Sequence, residues 1–197
     1  MSRPFILASA SPARLAVLRS AGLRPDVFIT GAPEDDVDVD EPAEHVGILA
    51  RRKAENAAAR LPADALILGC DSVLAFDGEI WGKPEDPDAV LERWQRLRGR
   101  EGVLWTGHCL IDTATNQRAE EASSTVVRFG NPDLHELEAL VETGEPLNVA
   151  GGFTIDGYAS AFIDGMVGDH GTVLGLSMPV LRRLLQRLDQ DLTTLWY

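Results

Sequence analysis

Strand-length apolar runs alternate along this chain with helix-length stretches whose apolar residues recur every three or four positions. That alternation admits few folds besides an α/β domain with a mixed sheet. Phe5-Ile-Leu-Ala8 reads as a short buried strand. Ser11 follows as an N-cap with Pro12 at the first helical position, and Leu15, Leu18 and Ala21 turn inward before Gly22 ends the helix. A second strand is expected at 26–30 and a long helix at 42–61, stopped by Pro62. Ala65-Leu-Ile-Leu-Gly-Cys-Asp71 reads as a buried strand ending in a carboxylate, and 73–81 fold back through Asp77-Gly78, a tight-hairpin dipeptide. Pro87–Leu97 is helical, with Val90, Leu91, Trp94 and Leu97 on one face and Gly99 at its end. Residues 103–112 and 122–129 read as paired strands joined through 113–117, and Asn131-Pro132 caps a helix reaching about Glu142. An extended Gly-rich section is expected at 148–164, then an amphipathic helix from Ser177 and Pro179 through Leu188. With no repeat and no long linker, the 197 residues are expected to form one domain, 1–197.

The charge balance limits the partners. Eighteen Lys and Arg face 31 Asp and Glu, a net charge of −13, which repels a polyanionic duplex and excludes non-specific nucleic-acid binding. A compact anion remains open as a ligand, because a few clustered cations outweigh a surface screened beyond about 8 Å. The 45% hydrophobic content, with 18 Gly and 11 Pro, excludes a disordered or collagenous chain. Two cysteines, Cys70 and Cys109, are too few for a disulfide framework and point to reduced thiols in the cytoplasm. The apolar stretch near the start is shorter than the roughly 7–15 residues of a signal-peptide core, so export is not expected. No window approaches the roughly 18 apolar residues of a membrane span.

Lys53 and Lys83 are the only lysines; every other Lys/Arg cation is Arg. A compact ammonium kept at two places in an Arg-biased chain suits phosphate contacts, and two solvated lysines is the competing reading. Ser9, Ser11 and Arg14 lie on a strand-to-helix turn, where free N–H groups and the helix dipole favour an anion; an ordinary cap at Ser11-Pro12 is the alternative. Asp71, at the expected strand end, is placed to hold a divalent cation or accept a proton from water, or to cap a turn. The acidic run from Glu34 to Glu41 fails the EF-hand test: counting from Asp36, Glu41 stands where Gly is required and Gly47 where Glu is required. The four histidines, at 45, 108, 135 and 170, lack zinc-ligand spacing, and no G-x-S-x-G elbow occurs.

Taken together, Leu7-Ala-Ser-Ala-Ser-Pro-Ala-Arg-Leu15, Ala50-Arg-Arg-Lys-Ala54, Gly69-Cys-Asp-Ser-Val73, Gly82-Lys-Pro84, Thr106-Gly-His108, Ala150-Gly-Gly-Phe153 and Gly175-Leu-Ser-Met-Pro179 resemble the Maf family of nucleoside triphosphate pyrophosphatases. The match spans nearly the whole chain. The resemblance implies an elongated mixed sheet flanked by helices, with two lobes and a central cleft, similar to inosine-triphosphate pyrophosphatases. It implies phosphate contacts from Ser9 and Arg14, two site lysines at Lys53 and Lys83, and a proton acceptor at Asp71. Glu34 matches the site glutamate that, with Asp71, would hold Mg²⁺ or Mn²⁺; Glu41 is the competing assignment. The implied reaction is water attack on the α-phosphorus of a nucleoside triphosphate, standard or modified, giving monophosphate and pyrophosphate. Substrate would also meet Ser11, Ala13, Ser72 and Asp156. The dTTP/UTP branch carries Arg, Thr and Gln at these last three positions, and the 7-methyl-GTP branch carries Trp and Glu at the first and third. Neither pattern fits, so a different or broader base range is expected, with Asp156 either accepting from an amino-bearing base or serving as a turn residue before Gly157. The resemblance also implies a homodimer. Two rival readings are a non-catalytic nucleotide-binding regulator of septum formation and a nucleotidyl or sugar-nucleotide transferase.

Overall fold

A computed structural model describes residues 3–33, 37–61 and 63–196. Among these residues seven strands join in one mixed sheet: β1 (Phe5–Ala8), β2 (Asp26–Val27), β3 (Leu66–Phe76), β4 (Glu79–Trp81), β5 (Glu101–Asp112), β6 (Gln117–Phe129) and β7 (Ile163–Gly168). The order is β2-β1-β3-β5-β6-β7, with β4 beside β3. β1 runs parallel to both β2 and β3, pairing Ile6 with Asp26 and with Ile67. β4 returns antiparallel on β3, and β7 antiparallel on β6. The helices are α1 (Pro12–Ser20), α2 (Pro42–Ala58), α3 (Pro87–Leu97), α4 (Leu134–Glu142), α5 (His170–Val173) and α6 (Met178–Arg187). None is long and apolar enough to cross a membrane.

The chain forms two compact units. The first comprises Met1–Asp71, Thr106–Ser123 and Leu174–Tyr197, and the second Ser72–Trp105 and Ser124–Val173. Each has its own core. In the first, Leu7, Leu18, Leu68, Leu110, Leu181 and Leu184 are fully buried, so α1 and α6 cover the sheet with their apolar stripes. In the second, Trp94 of α3 meets Phe129 edge-on at 5.6 Å, and Phe129 meets Phe153 at 5.0 Å. The Trp94 indole donates to the Gly152 carbonyl at 2.9 Å, which satisfies its buried polar atom.

Local signals place most helix starts. Ser11 and Ser177 cap α1 and α6, accepting from the Arg14 and Val180 amides. Five expectations are corrected. β3 does not stop at Asp71; it continues to Phe76, so the carboxylate lies in mid-strand, because Leu74 and Phe76 bury into the second core. Residues 148–164 are not extended: short 3₁₀ turns at Glu145–Asn148, Ala150–Gly152 and Tyr158–Phe162 precede β7. The cap of α4 is Asp133, whose side chain accepts the Glu136 amide while Glu136 accepts the Asp133 amide, a reciprocal box that Asn131-Pro132 cannot form. β2 holds two residues rather than five, and α2 ends at Ala58. Pro62, expected to stop that helix, lies outside the described residues.

Candidate functional site

The site begins with two glycines that let a helix lie directly on the sheet. A Cβ at Gly69 of β3 would stand 2.2 Å from the Ala50 carbonyl oxygen and 2.7 Å from the Ala54 amide. One at Gly107 of β5 would stand 2.3 Å from the Val46 carbonyl oxygen. Only glycine permits α2 to approach so closely. Held there, α2 delivers Lys53 to Asp71 on β3: Nζ donates to Oδ1 at 2.6 Å, with both side chains buried. This is a short charge-assisted bond inside the protein, where each partner orients the other.

Arg14 of α1 is buried beside this pair. Its Nε donates to the Gly175 carbonyl at 2.8 Å, and its Nη1 donates to the Cys70 carbonyl at 2.8 Å and to Ser9 Oγ at 3.0 Å. Ser9 Oγ also accepts the Ser11 amide at 3.2 Å. Arg14 therefore knots the β1–α1 turn to the peptide immediately before Asp71 and to the segment leading into α6. That segment is held again at Ser177, whose amide donates to His108 Nε2 at 2.9 Å while Nδ1 faces the Glu121 carbonyl at 3.3 Å. An Nε2 that accepts from an amide carries no proton, so the hydrogen sits on Nδ1 and the imidazole is neutral. Burial pushes the Cys70 thiol up to about 12, although Arg14 and Lys53 pull the other way. The thiol is inert.

The structure thus brings Ser9, Ser11, Arg14, Lys53 and Asp71 together in the first unit, with Ala13 on the first turn of α1. Ser72, Lys83 and Asp156 belong to the second. Ser72 follows Asp71 on β3 and is half-buried. Lys83 is exposed in a loop pinned on either side, by the Gly151 amide donating to the Gly82 carbonyl at 3.0 Å and by buried Pro84. Asp156 is exposed on a bend that leads into Tyr158 and Ala159, whose amides donate to Glu145. Glu34 lies outside the described residues; Glu41 is exposed and precedes α2 without capping it.

Among the described residues no group of three or more His, Cys, Asp or Glu could hold a metal ion. A closed protein cage is not what Mg²⁺ requires, since it binds through one or two carboxylates and completes its shell with phosphate oxygens and water. Asp71, a buried hard-oxygen donor, fits that mode.

Sequence reasoning missed Gly69 and Gly107 as the seats of α2, the buried His108, and Glu145. The two glycines stand inside quoted motifs, yet nothing local shows what lies above them. His108 and Glu145 find their partners 9 to 69 residues away along the chain.

A family model described as Maf-like protein matches residues 4–188. A Streptomyces coelicolor protein named nucleoside triphosphate pyrophosphatase is 51% identical over 195 residues, covering 98% of this chain and 95% of its own. A Trichormus variabilis protein of the same name is 46% identical over 192 residues, covering 98% and 97%. The Staphylococcus aureus Ham1 protein superposes with a TM-score of 0.43 at 15% identity, over 66% of this chain and 73% of that one, a likeness too faint to define the fold.

Proposed function

This chain belongs to the Maf-like protein family, and on that premise we propose that it hydrolyses nucleoside triphosphates to the monophosphate and pyrophosphate. The observation that carries the reading is the buried Lys53–Asp71 pair at 2.6 Å, flanked by Arg14 and the Ser9–Ser11 turn. Lys53 engages Oδ1, and in this reading the other carboxylate oxygen, Oδ2, takes the water's proton. In the proposed step the water oxygen bonds to the α-phosphorus, its proton passes to Asp71, and the bond from that phosphorus to the bridging oxygen breaks, releasing pyrophosphate. Lys53 lies where charge grows on the phosphoryl oxygens. The N-terminal turn of α1, with Ser9 and Ser11, receives phosphate oxygens, and Lys83 supplies a second ammonium to the leaving group. Arg14, engaged by two carbonyls and a hydroxyl, stabilises charge mainly by holding this turn against the Asp71 peptide. Mg²⁺ or Mn²⁺ bound by Asp71 and Glu34 would neutralise phosphate charge.

Base choice falls to Ala13, Ser72 and Asp156. A carboxylate accepts and never donates at neutral pH, so Asp156 selects bases carrying an exocyclic amino group. Residues 1–197 act in this reading as a single hydrolase domain in the cytoplasm on a free nucleotide.

The test is a nucleotide panel with Mg²⁺ or Mn²⁺, scored for pyrophosphate. Equimolar monophosphate and pyrophosphate, fastest with amino-bearing bases, is the expected result. Orthophosphate as first product places the cleavage elsewhere. No pyrophosphate with any base contradicts the enzyme and favours a nucleotide-binding regulator.

A further inference from the structure

Glu145 is given no part in the phosphate chemistry, yet its carboxylate accepts three hydrogen bonds in the second unit's loops. Oε1 accepts the Thr154 hydroxyl at 2.7 Å and the Ala159 amide at 3.1 Å, and Oε2 accepts the Tyr158 amide at 2.8 Å. Tyr158 and Ala159 open the 3₁₀ turn Tyr158–Phe162, whose preceding residue, Gly157, has no side chain to cap it. Glu145 provides from a distance the cap that a local Asp or Ser would give. The Gly157 backbone is extended, at φ −125°, so glycine is not required there for conformation. It is required for space: a Cβ would stand 2.0 Å from Glu145 Oε2 and 2.7 Å from Thr154 Oγ1. Thr154 and Gly157 bracket Asp156, so on both sides of Asp156 the bend carries a contact with Glu145 or a space reserved for it, alongside the Ser160 bonds to the Gly157 carbonyl.

We propose that Glu145 is a positioning residue for nucleobase selection: by clamping Thr154, Tyr158 and Ala159 it fixes the bend from which Asp156 meets the base. The inference rests on the reading of Asp156 as the base-contacting acceptor. A carboxylate selects between an amino and an oxo group only when its oxygens are held in place. An exposed Asp on a loose bend would meet either group through water. Burial raises the affinity of Glu145 for a proton, but the hydroxyl and the two amides outweigh it and hold the carboxyl below its usual range, so the clamp is charged at neutral pH.

The experiment measures binding of non-hydrolysable triphosphates with a methylene α,β-bridge, comparing adenosine with inosine and guanosine with inosine. Each pair differs in an amino group. Glu145→Gln places an amide NH₂ where a carboxylate oxygen accepted an N–H. Gly157→Ala drives the carboxylate aside without altering it. Asp156→Asn removes the charge and replaces one acceptor oxygen with an NH₂ donor. All three variants are expected to reduce the wild-type preference for the amino-bearing partner about tenfold. Asp156→Asn combined with Gly157→Ala is expected to reduce it no further, and hydrogen exchange at the Tyr158 and Ala159 amides is expected to speed up in Glu145→Gln. Full wild-type preference in Glu145→Gln and Gly157→Ala, with loss in Asp156→Asn, overturns the inference while leaving Asp156 in its role. Unchanged preference in Asp156→Asn, or none in the wild type, overturns the Asp156 reading and this inference with it. Neither result bears on pyrophosphate release, which is measured separately.

Discussion

Gly69→Ala tests the idea that the site exists because α2 touches the sheet. The added methyl would stand 2.2 Å from the Ala50 carbonyl oxygen, 2.7 Å from the Ala54 amide nitrogen and 3.0 Å from the Ala54 Cβ. Two of these are backbone atoms of a helix and cannot rotate away. To bring the shortest contact even to 3.0 Å, α2 must withdraw by about 0.8 Å. Carried with it, Lys53 Nζ would move from 2.6 Å to about 3.4 Å from Asp71 Oδ1, beyond the roughly 2.7–2.9 Å of a charge-assisted bond. Overpacking of this kind costs about 1–3 kcal/mol, and each kcal/mol lowers Tm by about 2–4 °C in a chain of this length. A misplacement near 1 Å lowers turnover by about 10²-fold. The assay is pyrophosphate release at saturating nucleotide, below the variant's melting range. Gly47→Ala is the control: it lies on the same helix, its Cβ would meet nothing within 4 Å, and replacing a helical glycine adds about 0.5–1 kcal/mol of stability. A folded Gly69→Ala protein with wild-type turnover would refute the reasoning.

Asp71→Asn keeps the shape but removes the proton acceptor, and turnover is expected to fall by about 10²–10⁴-fold; near-normal turnover removes Asp71 from that role. Asp112, only 1% exposed, is held at about 2 by the hydrogen bonds from Arg3, reinforced by the Thr115 and Ala114 amides and opposed by burial. Its folded-state pKa lies below the unfolded one, so its contribution, about 2 kcal/mol, is present above pH 4 and vanishes as pH falls toward 2. Denaturant melts of Asp112→Asn should show that deficit at pH 7 and a closing gap in acid; a deficit independent of pH contradicts the assignment. Burial raises both thiols, Cys70 to about 12 and Cys109 further, so neither should react with a maleimide at pH 8 until denaturant is added. Prompt labelling of the native protein would overturn the buried placement.

What was legible in the sequence was local. Asp77-Gly78 announces its hairpin because both residues adopt the left-handed conformation, at φ 52° and 80°, that such a turn needs. Ser11-Pro12 and Ser177 announce helix starts because a cap and its amide lie three residues apart. The Lys53–Asp71 pair spans 18 residues; apart from the family resemblance, its only signals are the rarity of lysine and one carboxylate after an apolar run. The same run misled at its end, because a strand buried in two successive cores does not stop at a carboxylate. Residues 148–164 failed for a related reason. Gly151 and Gly152 take φ of 71° and 74°, and the atoms a side chain there would strike belong to Leu74 and Pro84, far away in the chain. The strand-to-helix turn and the family resemblance put Arg14 among the expected phosphate contacts, while the carbonyls of Cys70 and Gly175 that engage it leave no local trace.

In the proposed reaction a water held by Asp71, beside Lys53, attacks the α-phosphorus. Turnover in water enriched in heavy oxygen, followed by mass spectrometry of both products, reads the attacked atom directly. One heavy oxygen in the nucleoside monophosphate and none in the pyrophosphate is the predicted outcome. Label in the pyrophosphate would mean attack on the β-phosphorus and would contradict the account.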